Sequence, residues 1–230
     1  MVSLMIEEKM YHPSSLSYPY TKAGIKDKKK IAIDLEDVLA NVKEPYIRVI
    51  NERYGTNYTV QDITSWDFRC IGSSLEEFLA ITRILWKYPE EIPPTEPYLG
   101  RKIDALREMG YEIHIITQRP DSHEEMKQWL ILNGIEYDEF LHTNHLKESK
   151  LGIIKANNYL YVIDDNPNLA QEIKNVRNTL LLLYDQPWNR SVKETENIIR
   201  VPNFGAAIEI VETFEKLEEY LMQGEIIIMR

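Results

Sequence analysis

The chain has 230 residues, 43% of them hydrophobic and 28% charged, with a formal net charge of -10 at pH 7. That length holds one large domain, or one domain with a sizeable insertion. The acidic balance argues against a binder of nucleic-acid polymer or anionic membrane, whose surfaces concentrate positive charge, although a local pocket can oppose the global sign.

A lone cysteine, Cys70, excludes an intrachain disulfide and a multi-cysteine metal cluster and points to a reducing, cytoplasmic setting. No apolar run approaches about 18 residues, and the first residues lack the basic-then-apolar order of a signal peptide. Residues 1–29 carry Pro13, Pro19 and Gly24 and run into a basic stretch, and are expected to be a solvated extension.

Four later stretches share one grammar. A short apolar run ends at polar side chains: IAI into Asp34, EIHII into Thr117, YLYVI into Asp164 and TLLLLY into Asp185. Between them lie helical patterns. RKIDALREMG repeats apolar residues at Ile103, Leu106 and Met109, SHEEMKQWLILNG opens on a Ser122 cap, and KLGIIKANN is shorter. Strands buried on both faces and alternating with helices predict a Rossmann-like parallel sheet, an α/β fold with its ligand site at the carboxyl ends of the strands.

One interval breaks the alternation. Residues 41–97 contain two helical patterns, EPYIRVINERYG and SSLEEFLAITRILWKY, and no convincing strand. So long a connection is expected to be a small helical cap, leaving 30–40 and 98–230 as the core. ENIIRVPN reads as a last edge strand, and AAIEIVETFEKLEEYLM as a terminal amphipathic helix.

The strand ends suggest a chemistry. Of two acids two residues apart, one can attack phosphorus and the other can exchange protons with the leaving group and water. Phosphoryl charge needs an answer, which Mg²⁺ on hard carboxylate oxygens, a hydroxyl and an ammonium supply. Asp34 with Glu36, Asp164 with Asp165, Thr117 and Lys150 are the candidates. Lys147 is a rival to Lys150, which the 14-residue spacing to Asp164 favours.

IAIDLEDVLA, HIITQRP, the lysine of ESKLGIIK and YVIDDNP resemble, in order, the four motifs of the haloacid dehalogenase-like (HAD) phosphatases. DITSWDF and LYDQPWNR resemble the 5'(3')-deoxyribonucleotidase-type members. The resemblance implies Asp34 as nucleophile and Glu36 as general acid and base. It implies Thr117 on the phosphoryl group and Lys150 neutralising Asp34. It implies Mg²⁺ held by Asp34, the main-chain oxygen of Glu36 and Asp165, with Asp164 beside them. The family usually has aspartate where this chain has Glu36, whose extra methylene moves the carboxyl. Asp37 reads as a turn residue. Trp66 and Phe68 are candidates to stack on a nucleobase or to form cap core. Arg119, Trp188 and Asn189 lie just past strand ends, where they can reach phosphate or sugar. The expected function is hydrolysis of a small phosphorylated metabolite or nucleotide. The alternative is a non-catalytic binding module, which Glu36 motivates. Oligomeric state is open.

Overall fold

The computed structural model describes residues 28–143 and 148–223, with side chains through residue 220. The expected N-terminal extension up to residue 27 lies outside the described residues, as does Lys147. Six strands form one parallel sheet: β1 (Lys29–Asp34), β2 (Tyr111–Thr117), β3 (Glu139–His142), β4 (Tyr161–Asp164), β5 (Leu180–Tyr184) and β6 (Ile198–Val201). Their order is β3-β2-β1-β4-β5-β6, with every pairing parallel. The chain runs outward from β1 to β3, then returns to β4 on the other side of β1. The switch point between β1 and β4 is where an open sheet of this order leaves a crevice.

Helices cover both faces because alternate residues of β1 point to opposite sides. Ile31 and Ile33 join one core with residues of α3 (Leu99–Glu108), α4 (His123–Leu132) and α7 (Phe204–Gln223). Ala32 joins a second core with Ile154 of α5 (Leu151–Asn157) and with Leu169, Ala170 and Ile173 of α6 (Pro167–Ile173). Each fully buried Ile of β1 contributes about 1.5–3 kcal/mol by leaving water. Between β1 and β2 lie α1 (Lys43–Tyr54) and α2 (Leu75–Trp86), joined by 3₁₀ turns. This segment builds a third core from Tyr46, Ile50, Ile63, Phe68 and Ile81, completed by Trp188 from beyond β5. Among the described residues no helix is long and apolar enough to cross a membrane.

Three local features depart from expectation. β3 carries no apolar run and is half exposed, with Asp138 before it accepting from the Ile113 amide at 2.8 Å. α6 is not among the helical patterns read from the sequence. Asn166 caps it by accepting from the amides of Asn168 and Leu169, with Pro167 in the first turn. Ser122 does not cap α4 through its hydroxyl. Its φ is 65°, and the Oγ turns to Asp121 instead.

Gly100, in the first turn of α3, lies against the turn after α4. A Cβ there would sit 2.3 Å from the Gly134 carbonyl oxygen, a backbone atom that cannot swing aside. Gly100→Ala is therefore expected to cost about 1–3 kcal/mol through overpacking. For a chain of this size that lowers Tm by about 2–4 °C per kcal/mol, as a thermal melt would read.

Candidate active site

Three carboxylates at strand ends and one lysine converge at the switch point. Lys150 sits at the N-terminus of α5 and is buried. Its Nζ lies 2.8 Å from Asp34 Oδ1 and 2.7 Å from Asp164 Oδ2, so one ammonium ties the end of β1 to the end of β4. Asp34 Oδ1 also accepts from the Leu35 amide at 2.7 Å, and Asp164 Oδ1 accepts from the Asn166 amide at 2.8 Å. Asp165 completes the group. Asp34, Asp164 and Asp165 each offer an oxygen within 4.8 Å of the others. Three buried carboxylates against one ammonium leave a surplus of negative charge on hard oxygens, the donor set that suits a divalent cation such as Mg²⁺.

The electrostatics express the same surplus. Burial pushes the Asp34 carboxyl up to about 8; Lys150 opposes this and Asp164 adds to it. Burial, then Asp34 and Asp164, pushes Asp165 up as well. Burial acts to lower Lys150, but Asp164 and Asp34 outweigh it and hold the ammonium above its ordinary value. The raised carboxyls have a consequence for the metal-free protein. The folded state keeps protons that the unfolded chain releases from 3.8 upward. The stability that Asp34 contributes in this way is whole below the ordinary carboxylate range and is lost as pH rises toward about 8. Calorimetry in chelator should show Tm falling over that window. The fall should be shallower in Asp34→Asn.

Glu36 binds a different cation. Its Oε1 accepts from Arg119 Nε at 2.7 Å and from Trp86 Nε1 at 3.0 Å. Arg119 is buried and lies 5.7 Å over the Phe78 ring; its Nη1 has no hydrogen-bond partner among the described residues and lies 3.9 Å from Asp121 Oδ1. Thr117, fully buried at the end of β2, accepts from the Arg119 amide at 3.1 Å.

Asp37 is more than a turn residue. Its φ is 59°, and its buried Oδ1 accepts from the amides of Val42 and Lys43 at 3.0 Å each, holding the start of α1.

A cavity of about 350 Å³ opens beside these groups. Its wall includes Asp34, Glu36, Lys150 and Asp165 from the strand ends, together with Arg119, Trp66, Phe68 and Trp188. Phe68 holds a left-handed φ of 58° and packs 5.5 Å from Trp188 and 5.0 Å from Phe78. The Trp188 Nε1 is buried without a hydrogen-bond partner among the described residues.

Asn189 does not reach this cavity. It is fully buried, and its amide donates to the carbonyls of Asp165 and Tyr184 while its oxygen accepts from Arg200 and the Gln186 amide. Its polar capacity is spent on holding the chain past β5, which corrects the expectation of sugar or phosphate contact. Two wall or wall-supporting residues escaped sequence reasoning. Trp86 looked like one more apolar residue of α2. Gln118, on the wall, follows the β2 end, and its Oε1 accepts from Asn166 Nδ2 at 3.1 Å.

The fold falls in the HAD-like class. A haloacid dehalogenase-like family hydrolase from Xanthomonas campestris superposes with a TM-score of 0.53 at 10% identity, over 84% of this chain and 98% of that one. Within that class the chain belongs to the family described as 5' nucleotidase, deoxy (pyrimidine), cytosolic type C, which it matches over residues 28–216. A candidate nucleotidase of Oceanobacillus iheyensis is 35% identical over 108 residues, 46% of this chain and 57% of that protein. The 5'(3')-deoxyribonucleotidase of Bacillus subtilis is 25% identical over 182 residues, 77% of this chain and 95% of that one.

Proposed function

We propose that this chain hydrolyses small phosphate monoesters, with (deoxy)nucleoside 5'-monophosphates as the substrate class. The observation that carries the reading is the Lys150 bridge between Asp34 and Asp164, with Asp165 beside it, at the wall of an aromatic cavity. The family description and the name of the Bacillus subtilis relative support the nucleotide part.

Asp34 attacks phosphorus and becomes an aspartyl-phosphate, and Lys150 offsets the charge of the carboxylate and the incoming phosphoryl oxygens. The Thr117 hydroxyl binds one of those oxygens. Glu36 protonates the leaving alkoxide oxygen as its bond to phosphorus breaks, then takes a proton from the water that attacks the aspartyl-phosphate and releases phosphate. Asp34, Asp165 and the main-chain oxygen of Glu36, with Asp164 adjacent, would hold Mg²⁺, which supplies charge for the phosphoryl oxygens. Residues 41–97 act as a cap that keeps bulk water out. Trp66, Phe68 and Trp188 offer ring faces to the base, and Arg119, on the cavity wall, offers its guanidinium to the substrate.

The test is phosphate release over nucleoside monophosphates, sugar phosphates and other small esters, with Mg²⁺ or chelator. Mg²⁺-dependent release that favours nucleoside monophosphates is expected. Silence across the panel would sink the reading, and nucleotide binding without release would assign the binding-module alternative.

A further inference from the structure

We infer that Trp86 is a positioning residue for Glu36, acting together with Arg119. The inference rests on the hydrolase reading above and names how this chain accommodates a glutamate as its general acid and base.

Two donors meet on one oxygen. Trp86 Nε1 and Arg119 Nε both donate to Glu36 Oε1, and Oε2 has no hydrogen-bond partner among the described residues. A glutamate has one more rotatable bond than an aspartate, so its carboxyl sweeps a wider arc unless something pins it. Two donors on Oε1 fix the carboxylate plane and leave Oε2 to the reacting oxygen.

The donors are themselves immobilised. Trp86 is fully buried as the last residue of α2, and Arg119 is 1% exposed. Their elements are locked together nearby. Phe78 of α2 lies under the Arg119 guanidinium, and Arg83 of α2 donates from Nε to Asp121 Oδ2 at 2.7 Å. The pocket that holds Glu36 is thus rigid on both sides, as general acid–base chemistry requires of its proton donor.

The arrangement also gives a reason for the glutamate. Its longer side chain spans from the β1 end to an indole on α2. An aspartate at 36 has a shorter reach toward the same two donors.

The test is kcat/KM of Trp86→Phe with two substrates. A nucleoside monophosphate has a poor leaving group that needs protonation; p-nitrophenyl phosphate does not. Loss of about 10–100-fold is expected on the nucleotide. On the aryl ester about 3-fold or less is expected, since its leaving group departs without the acid. A general packing defect would lower both equally and would overturn the inference. The second comparison is Trp86→Phe in a Glu36→Gln background, where no further loss is expected if the indole acts through Glu36. Equal loss in both backgrounds would also overturn it. Should Trp86→Phe fail to fold, Trp86→Met is read by the same two-substrate ratio, because methionine fills apolar space without an N–H to donate. A wild type without turnover on either substrate removes the hydrolase reading and this inference with it. Turnover with substrate-independent losses removes the inference alone.

Discussion

Asp34→Asn is expected to abolish phosphate release, by at least about 10⁴-fold in kcat, while leaving the protein folded. The two halves of that expectation have different causes. Asparagine matches aspartate in size and keeps an oxygen for the Leu35 amide, so the local chain has no reason to rearrange. It cannot form an acyl-phosphate at a useful rate, because the amide is not a nucleophile. Stability should hold or rise. Burial pushes Asp34 up to about 8, so the folded state already favours a neutral side chain at that position. Lys150 loses one counter-charge but keeps Asp164 at 2.7 Å. An inactive, well-folded variant would fit Asp34 as nucleophile. Retained turnover would move the chemistry elsewhere.

Lys150→Met is expected to fail on both counts. Methionine has a similar length and no charge, so it leaves Asp34 and Asp164 facing each other without the ammonium that lies 2.8 and 2.7 Å from them. Removing one partner of a buried ionic network costs about 3–5 kcal/mol, because the remaining charges stay out of water unpaired. The carboxyls will answer by holding protons, which also weakens Asp34 as a nucleophile. A loss of about 10³-fold in kcat is expected even where the variant folds. Denaturant titration measures the first effect and steady-state kinetics the second. A stable Lys150→Met would mean the ammonium is dispensable to the site's balance.

The sequence was legible where one residue type forces one structure. Buried parallel strands need continuous apolar runs, so β1, β2, β4 and β5 announced themselves, and so did the polar residues at their ends. β3 was silent because an edge strand half exposed to solvent needs no such run. α6 was silent because Asn166-Pro167 begins a turn and a helix with equal ease. Site residues fared by the same logic. Asp34, Lys150, Asp164 and Asp165 share a pattern of strand ends and spacings, and they meet. Asn189 looked like a ligand because polar residues past strand ends often are, yet its bonds go to the backbone around it. Trp86 could not be found at all. Its partner Glu36 is 50 residues away, and on α2 it follows the apolar periodicity of any core residue.

The shared oxygen on Glu36 has a bearing on how such a chain can diverge. Positions 36, 86 and 119 form one unit, since each donor is useful only while the acceptor reaches it. A drift to aspartate at 36 would strand a buried guanidinium and an indole N–H, each costly to leave unmade. Relatives that carry the shorter acid are therefore under no constraint to keep tryptophan and arginine at the other two positions. In this chain a change at any one of the three removes a bond that the other two are placed to make.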